Sequence, residues 1–155
     1  MRLSTKAQYA VRAMVSLNLL HDGQPVNLRD IAKREDLSLP YLEQLFVMLR
    51  RNEIVKSIRG PGGGYMPARP AADIRVDEII DSVEETLVPV ACMEKGGKCL
   101  CSEQCVTRSV WQGLGERIRD FLASITLEEL SREARKKLEG FSGEESLTVR
   151  KGKEE

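Results

Sequence analysis

Asn27-Leu-Arg-Asp-Ile-Ala-Lys-Arg-Glu-Asp-Leu-Ser38-Leu-Pro-Tyr-Leu-Glu-Gln-Leu-Phe46 is the stretch from which the fold of this 155-residue chain can be read. Asn27 suits an N-cap, because its side-chain oxygen can accept from a backbone N–H that the first helical turn leaves unpaired. From Leu28 to about Asp36, the residues Leu28, Ile31 and Ala32 recur at helical spacing and mark the inner face of a short helix. A tight connection at Leu37 leads to Ser38, another N-cap. Pro40 then falls in a first turn, where its missing N–H costs nothing. The helix it opens runs from about Pro40 to Asn52 and buries Leu42, Leu45, Phe46 and Leu49. Two short helices joined by a turn of this length make a helix-turn-helix.

The flanks complete the unit. Upstream, residues 5–21 form a helix, with Ala7, Ala10, Val11, Met14 and Leu17 in register and Ser4 or Thr5 as its cap. Asp22-Gly-Gln-Pro25 ends it. Downstream, Ile54-Val-Lys-Ser-Ile58 reads as a strand, Arg59-Gly-Pro-Gly-Gly-Gly64 as a turn, and Tyr65-Met66 as the start of a return strand. Pro67 and Pro70 keep that strand short and at an edge. A helix-turn-helix followed by a β-hairpin is a winged helix. The wing glycines lack the GxxxxGK[ST] order and lead into a strand, so they are not a phosphate loop.

Residues 76–86 give a further short helix with Val76, Ile79, Ile80 and Val83 apolar. From Val106 a long helix carries Val106, Val110, Leu114, Ile118, Phe121, Leu122 and Ile125 in one stripe, which calls for a partner surface. Trp111, Gly113 and Gly115 on it suit close packing between helices. Thr126-Leu-Glu-Glu129 is a capping box with Ile125 and Leu130 as its hydrophobic staple, so a last helix runs from 127 to about 138. The remaining C-terminal residues are charged and aperiodic and are expected to lack fixed structure.

Net charge is zero, but residues 1–70 hold 11 Lys/Arg against 6 Asp/Glu, and residues 71–155 hold 13 against 18. The basic N-terminal half suits a polyanionic partner. A helix-turn-helix sets the first residues of its second helix against base edges in the major groove of double-stranded DNA. Here these are Ser38, Leu39, Pro40, Tyr41, Glu43 and Gln44. Gln44 can pair bidentately with adenine, and Glu43 can accept from the cytosine amino group. A carboxylate beside the phosphate backbone otherwise repels it, so Glu43 must read a base or reject wrong sites. Arg50, Arg51 and Lys56 are placed for phosphates. Arg59 at the wing tip reaches the backbone or the minor groove, and the wing glycines Gly60, Gly62, Gly63 and Gly64 join that contact set.

All four cysteines fall between Cys92 and Cys105, in the spacing C-x6-C-x-C-x3-C formed by Cys92, Cys99, Cys101 and Cys105. No run of about 18 apolar residues and no apolar signal region occurs. A cytoplasmic protein with no membrane partner is therefore expected. In that compartment clustered thiols favour metal or redox chemistry over disulfides. Structural zinc prefers paired C-x2–4-C knuckles, of which only Cys101-x3-Cys105 comes close. Zinc stays open, as does a metal-free thiol switch in which Lys95 and Lys98 lower thiolate pKa values. Wide, uneven spacing favours an iron–sulfur cluster. With one histidine and no paired acids or Ser–His arrangement, no catalytic constellation can be named, so an enzyme is not expected.

Five segments carry a resemblance to a known family: Met1-Arg-Leu-Ser-Thr-Lys-Ala-Gln-Tyr-Ala-Val-Arg-Ala-Met14, Tyr41-Leu-Glu-Gln-Leu-Phe46, Arg59-Gly-Pro-Gly-Gly-Gly-Tyr65, Cys105-Val-Thr-Arg-Ser-Val-Trp111 and Ile125-Thr-Leu-Glu-Glu-Leu130. Over about residues 1–135 the chain resembles the iron–sulfur cluster regulators called IscR. The resemblance implies a homodimeric winged-helix transcription factor, a repressor acting on a palindromic operator. Its long helix forms the dimer interface, and a 2Fe–2S cluster tunes promoter choice, cluster-assembly genes among them.

Carried over by position, the three cysteine ligands are Cys92, Cys99 and Cys105. The fourth ligand of that family, a histidine three residues after the last cysteine, is replaced here by Arg108. Cys101 is then the substitute expected as fourth ligand, with Glu103, a partner-subunit side chain or an open iron as rivals. A related branch holds a 4Fe–4S cluster with an N-terminal aspartate, but the matching stretch here is Lys6-Ala-Gln8-Tyr, without an acid. The only histidine, His21, ends the first helix.

The expected fold is mainly α with a small β-hairpin wing plus a long C-terminal dimerisation helix. It divides into a winged helix-turn-helix over 1–75, a connecting helix and cysteine loop over 76–105, dimerisation helices over 106–139, and a disordered tail over 140–155. The alternatives are a cluster-free regulator using the cysteines for zinc or thiol-redox sensing, or a protein-interaction adaptor on the same fold.

Overall fold

The computed structural model describes residues 3–83, 87–98 and 104–150. Helix α1 spans Thr5–Leu20, and Ser4 caps it by accepting from the Ala7 N–H at 3.1 Å. Its inner face is made of small residues, Ala7, Ala10 and Ala13, with Met14 and Leu17, all fully buried. Three alanines at three-residue steps leave room for other elements to approach the α1 backbone closely, and α2, α4 and α6 all pack on it.

Helix α2 covers Leu28–Glu35 and α3 covers Leu39–Arg51. Asn27 caps α2 by accepting from the Arg29 N–H at 2.9 Å. Asp36 closes it in the left-handed conformation (φ 53°), which a short polar side chain tolerates, and the Leu37 N–H returns to the Ala32 carbonyl at 2.9 Å. Ser38 stands at the N-cap of α3, yet its side chain makes no capping bond. Leu42, Leu45, Phe46 and Leu49 are buried as the sequence indicates.

Strands β1 (Val55–Ile58) and β2 (Gly64–Pro67) pair antiparallel, from Val55 opposite Pro67 to Ile58 opposite Gly64. A single residue joins them from outside. Val26 exchanges both backbone hydrogen bonds with Tyr65, at 2.7 and 2.8 Å, and so pins the wing to the segment entering α2. This contact requires Gly64, since a Cβ there would stand 2.3 Å from the Val26 carbonyl oxygen. Tyr65 also meets Phe46 of α3 edge-on at 5.0 Å between ring centroids.

Helix α4 spans Val76–Ser82, α5 spans Arg108–Ala123 and α6 spans Leu127–Arg150. The corner between α5 and α6 is stitched to the winged unit by backbone. The Val76 N–H donates to the Ile125 carbonyl at 3.0 Å, and the Leu127 N–H to the Ile74 carbonyl at 2.8 Å. Leu127 is fully buried in the common core, and Asn18 of α1 donates to Ser131 of α6 at 2.8 Å. The capping box is present, with the Thr126 N–H donating to Glu129 at 2.8 Å and the Glu129 N–H to the Thr126 hydroxyl at 3.2 Å. Hydrogen bonds from the Thr126 N–H and hydroxyl hold the Glu129 carboxyl below its usual pKa.

Two expectations change. The last helix does not stop near 138, and the stretch expected to be disordered from 140 is helical as far as Arg150. Once a helix is nucleated, each added residue needs only helix-compatible backbone, and no proline interrupts 139–150. Residues 84–86, the end of the expected 76–86 helix, and 151–155 lie outside the described residues. Gly115 lies buried against the Pro89 ring, and Gly113 has open space around it within this chain.

Candidate nucleic-acid interface and cysteine pocket

Helix α3 presents its polar face outward. Ser38, Pro40, Glu43, Gln44, Arg50 and Arg51 are exposed, and Tyr41 is half-buried. Two hollows flank this ridge. On the wing side, Glu43 and Leu39 share one with Asn27, Arg29 and the backbone at Gly63 and Gly64. On the other side, Tyr41, Gln44 and Arg51 share one with Lys6 of α1. The candidate base readers Glu43 and Gln44 therefore sit on different flanks of one helix. Arg50, Lys56 and Ser57 line a third hollow beneath the α3 C-terminus, where the Arg50 guanidinium donates to the Ser57 hydroxyl at 3.4 Å.

The wing residues divide by role. Arg59, Gly60 and Gly62 are exposed at the tip. Gly63 and Gly64 are less open and serve closure of the hairpin, because a Cβ at either would collide with the Ile58 or Val26 carbonyl. Lys6 and Arg29, two cations on this face, are not marked by any sequence pattern. Their only signal is position, in the first turns of α1 and α2. Tyr41 meets Tyr9 edge-on at 6.1 Å, and burial together with this neighbour pushes its phenol pKa up.

Two of the cysteines, Cys92 and Cys105, meet beside the start of α5. Cys92 lies exposed in the short 3-10 turn Ala91–Met93, and Cys105 is half-buried just ahead of the helix. Both line one cavity of about 190 Å³ with Met93, Arg108 and Trp111. The loop folds back tightly here: the Gly97 N–H donates to the Glu94 carbonyl at 2.8 Å, and a Cβ at Gly97 would stand 2.5 Å from the Ala91 carbonyl oxygen. Glycine is required at that crossing.

Cys105 sits 3.4 Å from the Thr107 hydroxyl. That hydroxyl, then the Thr107 and Arg108 backbone N–H groups and the Arg108 charge, holds the Cys105 pKa below that of an ordinary thiol. Hydrogen bonds to sulfur favour the thiolate, the form that ligates metal or attacks a disulfide. Two soft donors facing one pocket fit a thiophilic metal or an iron–sulfur cluster. Cys99 and the candidate fourth ligand Cys101 lie outside the described residues, as does Glu103. Among the described residues, no three His, Cys, Asp or Glu side chains converge. Arg108 reaches the pocket wall, and the His21 ring is engaged with the Gln24 carbonyl at 2.8 Å in its own turn.

The fold has counterparts among known proteins. Residues 3–133 match the family model Rrf2, described as an iron-dependent transcriptional regulator. The HTH-type transcriptional regulator IscR of Klebsiella pneumoniae (strain 342) is 47% identical over 130 residues, covering 84% of this chain and 79% of that protein. Among solved structures, T. potens IscR superposes with a TM-score of 0.70 at 40% identity, covering 86% of this chain and 88% of that one. CymR, the global cysteine regulator of B. subtilis, superposes with a TM-score of 0.73 at 34% identity, covering 86% and 98%.

Proposed function

Because the chain belongs to the Rrf2 family of transcriptional regulators, we propose that it is a homodimeric regulator whose promoter choice is controlled by an iron–sulfur cluster at the Cys92–Cys105 loop. It is a DNA-binding winged-helix protein of the IscR type and not an enzyme. Among its described residues no helix is long and apolar enough to cross a membrane. The observation that carries the proposal is the shared pocket of Cys92 and Cys105 at the N-terminal end of α5.

Cys92, Cys99 and Cys105 would hold a 2Fe–2S cluster, with Cys101 as fourth ligand in the place left by Arg108. Bound there, the cluster would supply a redox-active cross-link whose presence depends on iron and sulfide supply. An all-thiolate set carries more negative charge than a set with histidine and lowers the reduction potential. The Thr107 hydroxyl lowers the Cys105 pKa and so favours its thiolate form, and Gly97 lets the loop close on Cys92.

The rest of the chain conveys that state. The N-terminal end of α5 borders the cysteine pocket, and the corner after its C-terminal end is hydrogen-bonded to Ile74 of the winged unit and to Val76 at the start of α4. A change of pose at one end is thus passed to α3. In a dimer, two such helices must match half-sites of a palindromic operator about 34 Å apart, so a small rotation changes which sites fit. Ser38, Pro40, Tyr41, Glu43 and Gln44 read bases. Arg50, Arg51, Lys56 and the wing-tip residues Arg59, Gly60 and Gly62 follow the backbone, and Gly63 and Gly64 hold the hairpin that presents them. The regulated genes include those of cluster assembly.

Iron and acid-labile sulfide in the anaerobically purified protein test this reading. Equal amounts of both, with visible absorbance, are expected, and Cys101→Ser should weaken or alter the cluster spectrum. An unchanged spectrum in that variant would remove Cys101 from the ligand set. The exposed Cys92 and the lowered Cys105 pKa favour one second reading, a zinc site or a thiol switch. A colourless protein with one zinc per chain, or one whose DNA binding follows thiol oxidation without iron, would establish it.

A further inference from the structure

Glu35 is placed against its local interest. It is the last residue of α2, where a carboxylate meets the negative end of the helix dipole. Its side chain is nevertheless only 12% exposed, and both oxygens are engaged by α1. Arg12 donates through Nε at 2.9 Å and through a terminal nitrogen at 2.8 Å, both to one oxygen. The Ser16 hydroxyl donates to the other oxygen. A local preference overridden by three tertiary contacts marks a device that sets the relation between elements.

The contacts continue beyond the ion pair. The Arg12 guanidinium lies 5.4 Å from the centroid of the Tyr9 ring, a cation–π arrangement. Tyr9 in turn presses edge-on against Tyr41, with an interplanar angle of 85°. Tyr41 belongs to the first turn of α3, the turn assigned to base reading. A path of direct contacts therefore runs from the end of α2, through two residues of α1, to the start of α3. It bypasses the helix-turn-helix turn and ties its two ends from outside.

We propose that Arg12 and Glu35 are positioning residues for DNA recognition, acting through Tyr9 on the pose of Tyr41. The proposal rests on the assignment of Tyr41 to the DNA interface. None of the groups upstream of Tyr41 needs to touch DNA. Arg12 is engaged by Glu35 and Tyr9 while its side chain stays 55% exposed, so the clamp can act on Tyr41 without any contact from its guanidinium to DNA. Losing the clamp should weaken binding without changing the number of phosphates neutralised, and the salt dependence should stay as it was.

The test uses the full chain and a duplex selected by that chain from a randomised library. Affinity is read by fluorescence anisotropy over a range of salt. Glu35→Gln is expected to bind about ten-fold more weakly, the equivalent of one charged hydrogen bond, with an unchanged salt slope. In a Tyr41→Ala background the same change should cost almost nothing, because the path already ends short of the DNA. A merely structural weakening would instead add in full to the Tyr41→Ala loss, which would overturn the proposal. Arg12→Lys keeps the charge but loses the planar stack and fork, and should show a smaller loss of the same kind. It decides the question if Glu35→Gln does not fold, and parent affinity in Arg12→Lys would then count against the clamp. Parent affinity in Tyr41→Ala would remove Tyr41 from the interface and overturn the proposal with it. Parent affinity in Glu35→Gln beside a defective Tyr41→Ala would overturn the clamp alone.

Discussion

Helices α3 and α5 carry the same kind of sequence and meet opposite fates. Both show an apolar stripe at helical spacing. On α3 the stripe disappears into the chain, with Leu42, Phe46 and Leu49 at 0% exposure and Leu45 at 1%. On and just ahead of α5, Val106 is 91% exposed, Val110 58%, Leu114 42% and Phe121 65%, whereas Leu122, with Ile125 just after the helix, packs on the core. Periodicity states that a face needs covering and is silent about what covers it. For α3 the cover comes from within the chain, α2, α4 and the wing among it. For α5 no described part of this chain covers these residues, and a second copy placing its own α5 there is the proposed cover.

The difference can be attacked from either side. The largest effect is expected at Phe46→Ala, which empties a fully buried site and removes the edge contact with Tyr65. It should cost about 3–5 kcal/mol in denaturant unfolding. A loss below about 1 kcal/mol would mean that the core closes over the gap, and that α3 is less fixed by its stripe than its burial indicates.

Next comes Phe121→Glu, on the open stripe. Helix content should survive, while self-association weakens by at least about ten-fold, because a charge enters a desolvated contact. Sedimentation velocity across a concentration series reads this directly. An unchanged mass distribution would move the self-association surface away from α5.

The smallest effect concerns the corner where the two regions meet. The Glu129 pKa is lowered in the folded chain, so its cap contributes fully above the unfolded carboxyl pKa of about 4.3 and fades as pH falls through the lower folded value. The unfolding midpoint should decline on acidification below about pH 5, and Glu129→Gln should flatten part of that decline. Equal acid sensitivity in parent and variant would assign it to other carboxylates.

How much of this was legible in the sequence depends on the range of the interaction. Caps at Ser4, Asn27 and Thr126, the α3 stripe and the wing turn are local, and residue type with spacing revealed them. Ser38 is the cap position that its residue type announces, but the absence of a capping bond is a matter of side-chain geometry. Val26 could not be foreseen as a sheet partner, since one residue has no period. The extension of α6 to Arg150 was hidden because aperiodic charge reads as lack of structure.

The site shows the same division. The exposure of the candidate base readers of α3 follows from its helical phase, so their outward placement was legible. Lys6 reaches the same face only through the packing of α1 beside α3. The path from Glu35 to Tyr41 joins residues on three helices and left no trace in any one of them. The cysteines were conspicuous in number. That Cys92 and Cys105 share a pocket with Trp111 and Arg108 depends on how the loop folds over Gly97.

The central claim is that the state of the cysteine pocket decides which DNA the winged unit binds. Parallel selection from one randomised duplex library, with cluster-loaded and cluster-free protein at matched salt, tests it most directly. Two distinguishable sets of enriched sequences are expected, the loaded protein adding or losing a class of site. Identical sets at equal affinity would contradict the claim, leaving a winged helix that binds DNA without regard to its thiols.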